Sequence, residues 1–221
     1  MGIGKWKFGV FGILLSLSCG QGVSAQRWDS REVAQQKYES YKVRVVAGDL
    51  AVDWRAFRIA SALAETPWAF DWQSARNEVQ ADLTEKQYED ALRVAQTVID
   101  HNMAFGEGHL LKMTALEKMG RKQEADSELA ILNAIGKSIT DSGDGQSEAT
   151  AWFTVLPSES MFFLRDALGA TLVGQELVEE NGHAYDKLRV TDRTGKPRFI
   201  WFNTDINELL KSRGQHPGVS M

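Results

Sequence analysis

The chain has 221 residues and a net charge of −5, with its 25 lysines and arginines dispersed and never clustered. That speaks against nucleic acid as a partner, because neutralising phosphates takes a concentrated basic face. One cysteine and four scattered histidines rule out a disulfide framework and the zinc spacings built on C-x-x-C or H-E-x-x-H, so no metal or cofactor is expected.

The first predicted element is a secretory signal over residues 1–25. Lys5 and Lys7 precede an apolar run from Phe8 to Leu17, and Val23-Ser24-Ala25 is a small-residue exit. A core of about 7 to 15 apolar residues suits a signal, whereas a membrane span needs about 20. Cleavage after Ala25 leaves a thiol-free chain of 196 residues with net charge −7, since Lys5, Lys7 and Cys19 depart with the signal. Lipid attachment at Cys19 is the alternative and would tether the chain to a membrane surface. Soluble export is favoured, because Ser16 stands three residues before Cys19, where a lipoprotein signal usually has leucine.

Residues 26–140 read as a tetratricopeptide-like helical domain. Asp29 and Glu32 have the spacing of an N-cap and its N3 acid for a first helix to about Val46, and Gly48-Asp49 breaks it. Asp53 caps a second helix ended by Thr66-Pro67, with Trp68, Phe70 and Trp72 packing beneath the turn. Thr84 and Gln87 form a capping box for a third helix, in which Tyr88, Ala91, Leu92, Ala95, Val98 and Ile99 make one apolar stripe. A helix from Glu107 to Met119 stops at Gly120, and another carries Ala125, Leu129, Leu132, Ile135 and Ile139. Ala91 and Ala125 lie 34 residues apart, the tetratricopeptide period, although Lys86 holds the place of the first turn glycine. Such helices either form a groove for a peptide or protein or pack as a support. Trp54, Trp68 and Trp72 are read as core aromatics before they are read as a binding cluster.

Residues 141–148, with Ser142-Gly143-Asp144-Gly145-Gln146-Ser147, predict a hinge. They are not a calcium loop, because glycines occupy ligand positions. A small α+β domain follows over 149–213, with a tail at 214–221. Ala151, Phe153 and Val155 alternate in a first strand, and Ser158 caps a short helix ended by Gly169. Asn181-Gly182 predicts a type I′ hairpin, and Arg193-Thr194 joins its second strand to Lys196–Asn203. The expected fold class is therefore α+β: an N-terminal helical bundle, then a small, mainly antiparallel sheet with one packed helix. Placing Asp192 opposite Gly195 sets Asp186 against Trp201, on an apolar face with Ala184, Leu188, Val190 and Phe199. The Trp201 indole or the Asn203 amide would then satisfy that carboxylate. His183, Tyr185, Lys187 and Arg189 point to the other face.

Several short motifs occur in order: Gly48-Asp49 with Val52-Asp53-Trp54-Arg55 and Arg58, Gly143-Asp144-Gly145, Gln175-x-Leu177 before Asn181-Gly182-His183-x-Tyr185-Asp186-x-Leu188, and Phe202-Asn203-x-Asp205. Over roughly residues 36 to 212 the chain resembles a family of exported bacterial proteins catalogued as a domain of unknown function. Trp54 and Thr204 depart from its usual phenylalanine and isoleucine. The resemblance implies tetratricopeptide-type helices joined to a small sheet and brings no activity with it. The favoured function is a non-catalytic binding or scaffold module for a peptide, protein or cell-wall fragment, in the periplasm or secreted. His183, Tyr185, Asp186 and Asn203 are its candidate binding residues. One alternative is a small hydrolase using His183 with Tyr185, Asp186, Asn203 or Asp205. Another is a purely structural part of an envelope assembly.

Overall fold

The computed structural model describes residues 28–64 and 70–213. The signal with Cys19, the Thr66-Pro67 stop, Trp68 and the 214–221 tail lie outside the described residues.

Helices α1 (Arg31–Val46) and α2 (Trp54–Ala64) form an antiparallel pair. The α1 cap is Ser30, whose hydroxyl accepts from the Val33 amide at 3.4 Å, and not Asp29 as expected. Both residue types cap well, and the later start leaves Asp29 to accept from Lys37 Nζ at 2.7 Å. Gly48 closes the helix at φ +86° with the Asp49 amide reaching back to Arg44 O. Asp53 caps α2 as expected, accepting from the Ala56 amide at 2.9 Å.

Four helices follow: α3 (Trp72–Glu85), α4 (Tyr88–His101), α5 (Gly106–Lys118) and α6 (Lys122–Thr140), each packed on the next. Helix α3 is additional to the sequence reading; it buries only Ala75 and Val79, so it shows little apolar period. The expected capping box at Thr84 and Gln87 is absent. Thr84 lies in the last turn of α3, donating to Gln80 O, and Gln87 makes no side-chain cap bond. The 34-residue echo appears instead in two matching turns. Lys86 takes φ +64° and Gly120 φ +73°, while the amides of Gln87 and Arg121 bond back to Asp82 O and Leu116 O. Ala91 and Ala125 are both buried at the helix contacts.

The sheet has strand order β1-β4-β3-β2, from β1 (Trp152–Phe153), β2 (Thr171–Glu180), β3 (His183–Thr191) and β4 (Pro197–Asn203). It is mixed but mainly antiparallel, since only the short β1 runs parallel to β4. Helix α7 (Pro157–Phe162) starts from Leu156 with Pro157 in its first turn, not from a Ser158 cap, and continues as a π-helical turn over Phe163–Ala167. A further helix, α8 (Asp205–Ser212), follows β4, where no element is predicted from the sequence.

The β2–β3 turn is as expected, with Asn181 and Gly182 both at positive φ. The β3–β4 register differs by one residue. Asp192 pairs with Lys196 around the loop Arg193-Thr194-Gly195, and its Oδ1 accepts from the Thr194 amide, the Thr194 hydroxyl and the Lys196 amide. Asp186 therefore faces Phe202, Leu188 faces Ile200, and Tyr185 faces Asn203. A one-residue slip exchanges the faces of a strand. Ile200 and Phe202, not Phe199 and Trp201, complete the inner face with Leu188 and Val190, against Phe163 and Leu164 of the π turn. A second core joins the two halves of the molecule: Tyr38, Phe57 and Leu63 pack with Phe153, Leu156, Ile206 and Leu210.

Candidate functional site

Of the residues singled out in the sequence, His183, Tyr185 and Asn203 come together at the start of β3 and the end of β4. His183 Nδ1 lies 2.7 Å from Asp205 Oδ2, which also accepts from the Asn203 amide at 3.0 Å. Asp205 Oδ1 accepts from the Ala184 backbone amide at 2.9 Å. Tyr185 sits edge-on to Trp201, and burial, aided by the Asp205 charge, raises its hydroxyl above the ordinary range. Asp205 opens α8, where a carboxylate is favoured by the helix dipole. These bonds tie β3, β4 and α8 together at one corner.

Asp186 does not belong to this cluster. It is buried on the inner face, and its partner is the Gln175 amide at 2.9 Å, not Trp201 or Asn203 as expected. Burial raises its pKa; the Gln175 bond and the charge of Lys211 on α8 work against that rise, while Glu208 adds to it. Trp54 and Trp72 do not share a cluster either. Trp54 packs on Phe57, with its indole N–H donating to Leu50 O, whereas Trp72 contacts Phe70, His101 and Phe105 in the far helices.

A cleft of about 390 Å³ lies between the start of α2 and the end of α6. One wall is Leu50, Val52, Asp53, Trp54 and Arg55; the other runs from Ala134 through Lys137, Ser138 and Asp141 to Ser142. The elements carrying the two walls are tied together by Arg58, which is fully buried. Arg58 Nε and Nη2 form a two-pronged contact with Glu159 at 2.7 Å each, Nη1 donates to Ser138 Oγ at 3.0 Å, and Nη2 donates to Phe153 O at 2.9 Å. Glu159 also accepts from the Val155 amide. This network joins α2, α6, β1 and α7 and fixes the two walls relative to one another.

At the mouth, the charges are arranged differently. Lys137 and Asp141 neutralise one another at 2.5 Å, and Asp53 is occupied as the α2 cap. Arg55 lies with its guanidinium 4.4 Å from the centre of the Phe153 ring and makes no hydrogen bond or ion pair with any described residue. A guanidinium resting over an aromatic ring keeps its fork of donors available for a carboxylate. The sequence supplied the α2 wall through its Asp53-Trp54-Arg55 and Arg58 motif. It gave no signal for Lys137, Ser138, Asp141 or Ser142, or for Glu159, which meets Arg58 across 101 positions.

A family profile described as a domain of unknown function (DUF4919) matches residues 69–213, which include the α6 wall, β1, Glu159 and the His183 corner. No curated protein and no solved structure matches the chain.

Proposed function

The chain belongs to this family of unknown function, and we infer that the protein is a non-catalytic binding module whose cleft takes a carboxylate-bearing ligand, such as the free C-terminus of a peptide or a cell-wall fragment. The observation that carries this is the Arg55 guanidinium, lying over Phe153 at the mouth of the cleft with its donors unused by any described residue. Leu50, Val52, Trp54 and Ala134 give the ligand an apolar surface, and the Ser138 and Ser142 hydroxyls offer polar contacts beside it. The basic start, apolar run and Val23-Ser24-Ala25 exit support a place of work outside the cytoplasm. No helix among the described residues is long and apolar enough to cross a membrane.

Calorimetric titration with short apolar peptides, each as the free acid and the C-terminal amide, tests the reading. The acid should bind the wild-type chain, while the amide and the Arg55→Gln variant should each lose about tenfold, roughly 1.4 kcal/mol. Equal binding of acid and amide, or unchanged binding by Arg55→Gln, would overturn it.

A second reading, hydrolysis at His183, has one observation in its favour: Asp205 holds Nδ1, and Nε2 has no partner among the described residues. Peptide and glycan hydrolysis by the wild type that disappears in His183→Ala would establish it. The same low background in both proteins would dismiss it.

A further inference from the structure

Strand β2 is the long edge of the sheet. Nine of its ten residues pair with β3 on one side, all but Val173, and among the described residues no strand or backbone group pairs with the other. None of its residues is buried, and three of the large exposed apolar side chains sit on it: Leu172 at 40%, Val173 at 52% and Leu177 at 69% exposed. An unpaired edge of this length with apolar side chains is a template for a further strand, and natural edges are usually guarded by lysine, proline or brevity. Here there is neither lysine nor proline, and the three glutamates lie in the second half of the strand.

We propose that β2 pairs antiparallel with β2 of a second copy of this chain, about a two-fold axis through Gln175, to make one continuous sheet. The register follows from the faces. Gln175 and Leu177 pair with Leu188 and Asp186, and Leu172 with Val190, so all three lie on the inner face; Thr171, Gly174, Glu176 and Val178 lie on the outer face. Val173 is the extra residue of a bulge between Leu172 and Gly174. With Gln175 opposite its own copy, Gly174 meets Glu176 of the copy, and Leu172 with the bulged Val173 meets Leu177 of the copy. Thr171 then meets Val178. Each pair shares a face, and both leucine pairs fall on the inner face on either side of the axis.

Charge follows the same register. No glutamate opposes a glutamate, because Glu176 faces a residue without a side chain. Glu179 and Glu180 run past the start of the copy's strand to its Ala170 and Gly169. There the Arg193 guanidinium is anchored, donating to Leu168 O at 2.7 Å and Ala167 O at 2.8 Å, and packs against Gly169. The acidic end of each strand thus meets a fixed cation of the other copy.

Sedimentation of the full chain, in a Cys19→Ser background, tests the pairing together with cross-linking. The wild type should be dimeric at about 100 μM, and Leu177→Lys should weaken the dimer at least tenfold, with an unchanged far-UV circular dichroism spectrum. Gln175→Cys should form a disulfide dimer on oxidation, since opposed residues of antiparallel strands have Cα atoms about 4.5–5.5 Å apart, within disulfide range. Glu179→Cys should not, because the two thiols would lie about 26 Å apart at about 3.3 Å per residue. A monomer at that concentration overturns the proposal. So does a dimer that Leu177→Lys leaves intact, or one in which position 179 cross-links and position 175 does not. An extended peptide of another protein as the true occupant would show as the monomeric outcome.

Discussion

Replacing Glu159 by alanine removes the acidic half of the buried Arg58–Glu159 pair. The side chain is 1% exposed and its partner Arg58 is 0% exposed, so the guanidinium would be left charged, dry and half-bonded. Arg58 would keep Ser138 Oγ and Phe153 O but lose both 2.7 Å contacts, and the Val155 amide would lose its acceptor. Breaking such a pair from one side costs about 3–5 kcal/mol. At roughly 2–4 °C per kcal/mol for a chain of this size, the melting temperature should fall by about 6–20 °C. Removing both charges should cost less than the sum of the single losses, because Arg58→Leu with Glu159→Leu leaves no unpaired ion. The expected coupling is at least about 1.5 kcal/mol. Urea unfolding followed by tryptophan fluorescence on the two single variants and the double variant measures it. A loss below about 1 kcal/mol for Glu159→Ala, or additive single losses, would refute the reasoning.

Three further outcomes are expected. Lys86 holds a left-handed conformation that its 34-residue counterpart fills with Gly120; Lys86→Gly should therefore raise stability by about 0.5–1 kcal/mol in urea unfolding, and Gly120→Lys should lower it. Burial raises the Asp186 pKa above its ordinary 3.8, so the folded chain holds this proton more tightly than the unfolded one. Stability from this group is then lost as pH rises through the window between 3.8 and the raised value. Asp186→Asn, which keeps an acceptor for Gln175, should be more stable than the wild type at neutral pH and lose that advantage on acidification through the same window. Thermal melts at a series of pH values would show the two curves converging. His183→Ala removes one half-exposed bond to Asp205 and should cost about 0.5–1.5 kcal/mol; a larger loss in thermal unfolding would mean that the α8 corner carries more of the fold than its hydrogen bonds imply.

The parts of the fold legible in the sequence are those whose signal is local. Helices α4 and α6 have dense apolar stripes, α5 is closed by Gly120, and Asn181-Gly182 dictates its own turn. Helix α3 escaped because a helix that buries two residues leaves little period to read. The β3–β4 register turned on a single loop residue. Both a two-residue and a three-residue connection fit the sequence, and the three bonds to Asp192 Oδ1 select the longer one. That choice moved Trp201 off the inner face, while the β2–β3 register brought Gln175 to Asp186. It left His183, Tyr185 and Asn203 together, because all three already lay near one end of the hairpin. The cleft needed contacts that no local pattern encodes. Arg58 and Ser138 meet across 80 positions, and the α6 wall reads in sequence only as an exposed face near the end of a helix. Arg55 itself stood in the motif, and what marks it is its bare guanidinium over Phe153, a property of the folded surface.

Amide chemical-shift mapping with a short apolar peptide carrying a free C-terminal carboxylate tests the binding reading most directly. Shifts should concentrate on Val52, Trp54, Arg55, Ser138 and Ser142, and Arg55→Gln should need about tenfold more peptide to reach them. Shifts centred on His183, Tyr185 and Asn203, or no saturable shifts with any free-acid peptide, would contradict it.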